Sequence, residues 1–202
     1  MNRIQNVLMP GVDNSKYAMP TGVVNLNVTK DAHLTLVFAA ELAAWRNAIG
    51  YYYYDTQNPP RTQAEFDALP KYVAFPNCSS FTTNFDDPDD LGSGGGDWTA
   101  PLFFGEQLRL TCFRGGKATD IFPAGTTVGW FMLPDAYEIS AYDYTGKLDI
   151  TGSKHPARYS NNEFNAENGR YMVSLYDKVS GKTVLGFEDG GKIDAGEGVG
   201  EF

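Results

Sequence analysis

The chain has 202 residues, a length that a single domain built on one core accommodates. Apolar residues make up 42% and charged residues only 20%, with 22 Gly, 12 Tyr and 13 Phe; this disfavours a helical bundle and a disordered chain and favours short strands joined by turns. Sixteen Lys and Arg against 25 Asp and Glu leave a net charge of −9, which repels nucleic acid and anionic lipid, and no apolar run reaches the roughly 20 residues of a bilayer-spanning helix.

In chain order, residues 1–22 carry Pro10, Gly11, Asn14, Pro20 and Gly22 and read as an irregular lead-in to one domain over 23–202. Their first ten positions hold one cation, no sustained apolar stretch and no small-residue cleavage site. They do not form an intact signal peptide, so the chain is intracellular or its export signal has been removed. Residues 25–38 suggest two β segments broken at Lys30-Asp31, and 39–48 have a helix-forming composition that runs into a β-prone stretch, 49–54. Pro59-Pro60 ends that strand. Thr62, with Glu65 three residues on, predicts an N-capped helix over 62–69, and 72–75 reads as a strand stopped by Pro76. A long acidic, glycine-rich loop follows, with Asp86, Asp87, Asp89, Asp90 and Asp97 around Gly92 to Gly96 and no basic residue between Lys71 and Arg109. Strands are then predicted at 107–113, 127–133, 138–144, 172–176 and 183–187, separated by Gly, Pro and Asp turns. This is the pattern of an all-β antiparallel β-sandwich, jelly-roll-like, with one or two short helices.

The chemistry-bearing residues are few. His33 and His155 lack a second ligand at metal spacing and read as structural, and no Gly-x-Ser-x-Gly elbow is present. The cluster Gly92 to Gly96 lacks the lysine of a phosphate-binding loop and is flanked by aspartates. Cys78 and Cys112 fit one buried disulfide or two inert thiols equally well. Carboxylates make the better case, because calcium takes Asp and Glu oxygens from loops supple enough to wrap it. Asp86, Asp87, Asp89 and Asp90 offer such oxygens within one loop, and Glu188 and Asp189 follow the last predicted strand. Trp98, Tyr51 and Tyr53, with Trp45 and Trp130 beside them, are candidates for stacking on sugar rings, although half of any alternating strand faces the core. A two-carboxylate hydrolase would need its acid groups about 5 to 9.5 Å apart across a cleft.

Five segments in order, 45–52, 73–79, 122–131, 159–165 and 184–189, carry a resemblance: Trp-Arg-Asn-Ala-Ile-Gly-Tyr-Tyr, Val-Ala-Phe-Pro-Asn-Cys-Ser, Phe-Pro-Ala-Gly-Thr-Thr-Val-Gly-Trp-Phe, Tyr-Ser-Asn-Asn-Glu-Phe-Asn and Val-Leu-Gly-Phe-Glu-Asp. They resemble the domain of unknown function 4114 that closes LruC-type bacterial surface lipoproteins. The resemblance implies an exported or surface-displayed β-sandwich module without assigned catalytic activity. In that family the last segment is followed by an Asp-x-Asp-Tyr/Phe-Asn-Asp motif and a closing strand, and the two acidic motifs look like a cation site. Here 190–202 read Gly-Gly-Lys-Ile-Asp-Ala-Gly-Glu-Gly-Val-Gly-Glu-Phe, so Asp194 is a substitute ligand and a sheet lacking its last strand is expected, by truncation first. The functional expectation is a non-enzymatic cell-surface or extracellular module for adhesion or assembly, stabilised by calcium, whose partner is a surface glycan or protein. A carbohydrate-binding module is one alternative. A virion or fimbrial subunit that self-assembles by strand addition at an open sheet edge is another.

Overall fold

The computed structural model describes residues 24–39, 45–78, 102, 105–139, 146–152, 154–177 and 181–191. These residues form an all-β fold with antiparallel pairing throughout.

The fold is organised by one sheet. Its strands are β1 (Leu26–Val28), β4 (Ala48–Asp55), β5 (Lys71–Phe75), β10 (Thr126–Leu133) and β13 (Arg158–Tyr159). The hydrogen-bonded order is β1-β10-β4-β5, and β13 shares with β1 the second edge of β10. The β4–β10 ladder is unbroken from Ala48↔Leu133 to Asp55↔Thr126. Paired on both edges, β10 is also buried at all eight positions. Its composition, Thr-Thr-Val-Gly-Trp-Phe-Met-Leu, suits such a place because it carries no charge that burial would penalise.

The remaining strands form two-stranded ribbons among the described residues: β2 (Ala32–His33) with β9 (Ile121–Phe122), β3 (Thr35–Val37) with β6 (Gln107–Arg109), and β7 (Cys112–Arg114) with β8 (Lys117–Thr119). β11 (Tyr137–Ile139) pairs with β12 (Gly146–Leu148), and β14 (Met172–Asp177) with β15 (Lys182–Phe187). The β7–β8 turn needs its two glycines. Gly115 and Gly116 have φ of 56° and 77°, the left-handed pair that a two-residue hairpin of matching twist demands.

Strand alternation divides the core in two. Val128, Trp130 and Met132 of β10 and Tyr51 of β4 face one way, joined by Leu110, Cys112, Phe122 and Met172 from the ribbons. Phe131 and Leu133, with Ala48 and Tyr52, face the other way against Phe66. Phe66 belongs to α1 (Gln63–Asp67), which is shorter than the predicted 62–69 but capped as expected: Thr62 Oγ1 accepts from Glu65 N–H at 3.2 Å, and Glu65 Oε2 accepts from Arg61 N–H at 2.7 Å. The fully buried Phe66 ring stacks on Phe164 and meets Tyr52 and Tyr159 edge-on.

Two glycines make this second face possible. Gly129 lies opposite Tyr52 and Gly50 opposite Phe131. A Cβ on Gly129 would fall 2.3 Å from Tyr52 Cζ, and one on Gly50 would fall 2.3 Å from Phe131 Cζ and 2.4 Å from the Tyr72 carbonyl. Each ring occupies the volume that its partner strand leaves empty.

Several sequence expectations are redrawn. The strand predicted over 107–113 divides into β6 and β7, because Leu110 N–H bonds to Leu34 O and Thr111 N–H to the Tyr51 hydroxyl. Ala48 opens β4 instead of ending a helix, and residues 40–44 of that predicted helix lie outside the described residues. The strand predicted at 138–144 begins at Tyr137 and is described as far as Ile139. Cys78 and Cys112 are separate buried thiols, each in its own cluster, with no disulfide between them.

Candidate functional site

Two regions hold the described members of the predicted sites. The first lies where β15 ends. Glu188 and Asp189 leave the strand at Phe187 and turn back toward the central sheet. Glu188 N–H donates to Tyr171 O at 2.9 Å, and its Oε1 accepts from Gly190 N–H at 2.7 Å. Asp189 Oδ2 accepts from Asn47 Nδ2 at 2.7 Å. Asn47, buried just ahead of β4, is a junction: its Oδ1 accepts from Asp135 N–H at 3.0 Å, and its carbonyl accepts from Cys78 N–H at 2.8 Å. Asp135 follows β10 with φ of 47°, and its carboxylate pairs with Lys154 at 3.0 Å.

Arg158, on β13, supplies the positive charge in this region. Its guanidinium donates to Glu188 O at 2.6 Å and to Gly190 O at 3.0 Å, and it lies 4.5 Å over the Tyr171 ring. Burial pulls its pKa below the ordinary arginine value, and the neighbouring Tyr171, Asp189 and Glu188 oppose that shift. A planar fork with two donors aimed at two carbonyls is a task for arginine and not for lysine.

One strand over, the 159–165 segment fastens the second edge of β10. Trp130 N–H donates to Ser160 Oγ at 2.8 Å and Ser160 N–H donates to Trp130 O at 2.9 Å, so Ser160 continues the ladder between β1 and β13. Ser160 Oγ donates to Asn25 Oδ1 at 2.5 Å, and Asn161 Oδ1 accepts from both Asn25 Nδ2 and the Tyr52 hydroxyl at 2.8 Å. Asn165 Oδ1 accepts from Tyr159 N–H at 2.7 Å, while its Nδ2 donates to Tyr159 O and Gly169 O at 2.8 Å. Burial pushes the Tyr52 hydroxyl well above the usual tyrosine range, against the opposing hydrogen bonds of Ser160 and Asn161. It is a neutral donor at any physiological pH.

The second region is aromatic. Tyr51, expected to face a ligand, is 4% exposed; its hydroxyl donates to Thr111 O at 2.6 Å and accepts from Thr111 N–H at 3.0 Å, so both ring and hydroxyl are spent in the core. Trp130 is likewise core, with its indole N–H on Val24 O. Trp45 stacks on His155 at 4.3 Å. Tyr53 is only half-buried. Its hydroxyl accepts from Phe113 N–H at 2.7 Å, and its ring stacks on Tyr72 at 5.7 Å, with Phe113 on Tyr72 at 5.5 Å. Beyond Tyr53 a shallow open groove of about 410 Å³ runs between Tyr54, Asp55, Arg114 and the Pro123–Thr126 turn.

Among the described residues, no three His, Cys, Asp or Glu side chains converge as metal ligands. Glu188 and Asp189 alone do not make a cation site; Asp86, Asp87, Asp89, Asp90, Asp194 and Trp98 lie outside the described residues. Sequence reasoning missed Arg158 and the contact of Asn47 with Asp189, which spans 142 positions. No family model, curated protein or solved structure matches the chain.

Proposed function

We propose that this chain is a non-enzymatic module of the bacterial cell exterior, serving adhesion or assembly. One observation carries the reading. Asn47, Ser160, Asn161, Asn165 and Asp189 all fall in the segments that resemble the domain of unknown function 4114, and each is committed to a hydrogen bond that fastens a loop or strand to its neighbours. Polar groups fixed by several partners rigidify a scaffold, whereas an acid or base in catalysis must exchange its proton with a substrate. A rigid frame that presents loops suits a surface module. Antibody raised against the purified chain is expected to label intact, unpermeabilised producing cells; labelling only after permeabilisation overturns the reading.

Calcium enters this proposal as a stabiliser. The reading counts as ligands Glu188 and Asp189, whose Oε2 and Oδ1 accept no hydrogen bond among the described residues, together with Asp86, Asp87, Asp89, Asp90 and Asp194. A cation at about 100 times its Kd adds about 2.7 kcal/mol to the folded state. After chelation, returning calcium is therefore expected to raise Tm by roughly 5–10 °C. An unchanged melt removes calcium from the proposal and leaves the surface module standing.

A further inference from the structure

We propose that Tyr53 of β4 and Tyr72 of β5 form an oxidative cross-linking site, at which a peroxide joins the two rings as an intramolecular dityrosine. The inference stands apart from the surface-module reading, since it concerns the reactivity of one face of the central sheet. Tyr51 and Tyr53 project from the same face of β4, and Tyr72 lies opposite Tyr51 in the ladder and diagonal to Tyr53. Tyr72 therefore stacks on both, with ring centroids 5.4 Å from Tyr51 and 5.7 Å from Tyr53.

The hydroxyls decide between the two pairs. Phenols couple through the carbons that flank the hydroxyl, so the pair that reacts is the one whose hydroxyl ends meet. The Tyr53 and Tyr72 hydroxyls are 3.4 Å apart, and their rings are 6° from parallel. The Tyr51 hydroxyl is bound instead to the backbone C=O and N–H of Thr111, which holds its flanking carbons against that segment, and the residue is 4% exposed. Tyr53 and Tyr72 are both only half-buried. Phe122, packed on Tyr53, and Phe113, packed on Tyr72, have no hydroxyl and do not compete.

Burial, with the Tyr72 hydroxyl adding to it, lifts the Tyr53 hydroxyl above the usual tyrosine range, so the neutral phenol is the reacting form. A peroxide acting through a peroxidase takes an electron and a proton from each hydroxyl and is reduced to two waters. The two phenoxyl radicals pair their electrons in a bond between one Cε of Tyr53 and one Cε of Tyr72. Each coupled carbon then passes its hydrogen, as a proton, to the oxygen of its own ring, which restores two phenols. Paired strands already hold the reacting rings in contact, which favours this bond over one between two molecules. It would tie β4 to β5, which ends the strand order, just past their last ladder pair, Tyr52↔Lys71.

The test treats the full chain at low concentration with a haem peroxidase and hydrogen peroxide, isolates the monomer by size exclusion, and reads dityrosine fluorescence and tryptic peptides by mass spectrometry. Trypsin leaves Tyr51 to Tyr54 in the peptide 47–61 and Tyr72, as its sole tyrosine, in 72–109. The monomer is expected to gain dityrosine fluorescence and a species joining these two peptides, lighter than their sum by two hydrogens, with the link at Tyr53. Tyr72→Phe, which gives up only the long hydroxyl contact, and Tyr53→Phe are each expected to lose that species. Tyr54→Phe, on the opposite face of β4, is expected to keep it. The proposal is overturned if the monomer gains no joined species, if the link maps to Tyr51, Tyr52 or Tyr54, if Tyr53→Phe retains it, or if dityrosine forms in dimers alone. None of these results bears on the cell-labelling outcome, so the two readings fail separately.

Discussion

Gly129→Ala is expected to destabilise the protein by about 3 kcal/mol, at the upper end of what one added methyl group does in a packed core. The methyl would stand 2.3 Å from Tyr52 Cζ and 2.5 Å from its hydroxyl oxygen. Tyr52 has no direction in which to yield. It is fully buried, with Phe66 edge-on at 5.1 Å and Tyr159 at 6.3 Å, and its hydroxyl is held by Ser160 and Asn161. Relief requires the ring to move and break those hydrogen bonds, or β10 to part from β4. For a chain of this length a loss of that size lowers Tm by roughly 6–12 °C. Gly191→Ala is the control, since nothing lies within 4 Å of its new methyl, and it is expected to stay within about 0.5 kcal/mol of wild type. Thermal or urea unfolding of both variants checks this. Introducing Gly129→Ala into a Tyr52→Leu background should cost less than about 1 kcal/mol, because the opposing ring is gone. A full-sized loss there would mean that the clash is not with Tyr52.

Arg158→Met is expected to cost about 2–3 kcal/mol, the range for charge-assisted hydrogen bonds whose partners are left behind. Methionine retains most of the aliphatic volume but abandons the carbonyls of Glu188 and Gly190. Because Glu188 is only half-buried and Gly190 is exposed, water recovers part of the loss, which keeps the figure below that of a fully buried ion pair. Arg158→Lys should recover less than half of it, since an ammonium cannot address two carbonyls from one plane or lie flat over Tyr171. Urea midpoints of the three proteins give the order wild type, Arg158→Lys, Arg158→Met. Equal midpoints for lysine and arginine would show that charge, and not the fork, holds the β15 end.

What could be read from the residues alone follows from the range of the forces involved. The strand at 127–133 was legible because an uncharged β-prone run lies between Gly125 and Pro134, and α1 because Thr62 and Glu65 act within a single turn. Alternation placed Tyr51 and Tyr53 on one face but could not give their depth. Tyr51 reaches into the core beneath Thr111, whereas Tyr53, two residues nearer the strand end, comes out beside the groove. The break at Leu110–Thr111 is likewise tertiary, because its donors go to Leu34 and Tyr51. Glu188 and Asp189 stand out in the chain as candidate cation ligands, but nothing in their neighbourhood in the chain announces Asn47 or Arg158 as partners. The glycines inside β4 and β10 were the overlooked local signal. A glycine in the middle of a strand marks a close approach, and here an aromatic ring fills the space above each.

That the residues of these motifs are spent on holding loops to a central strand buried on both faces is tested most directly by hydrogen exchange, read by mass spectrometry on wild type and Arg158→Met. In wild type the amides of 126–133 and 48–55 should exchange slowest of all, and in the variant 186–190 should lose protection while 126–133 keep theirs. Exchange at 186–190 that is identical in the two proteins, or a β10 as quick to exchange as the β7–β8 hairpin, would contradict it.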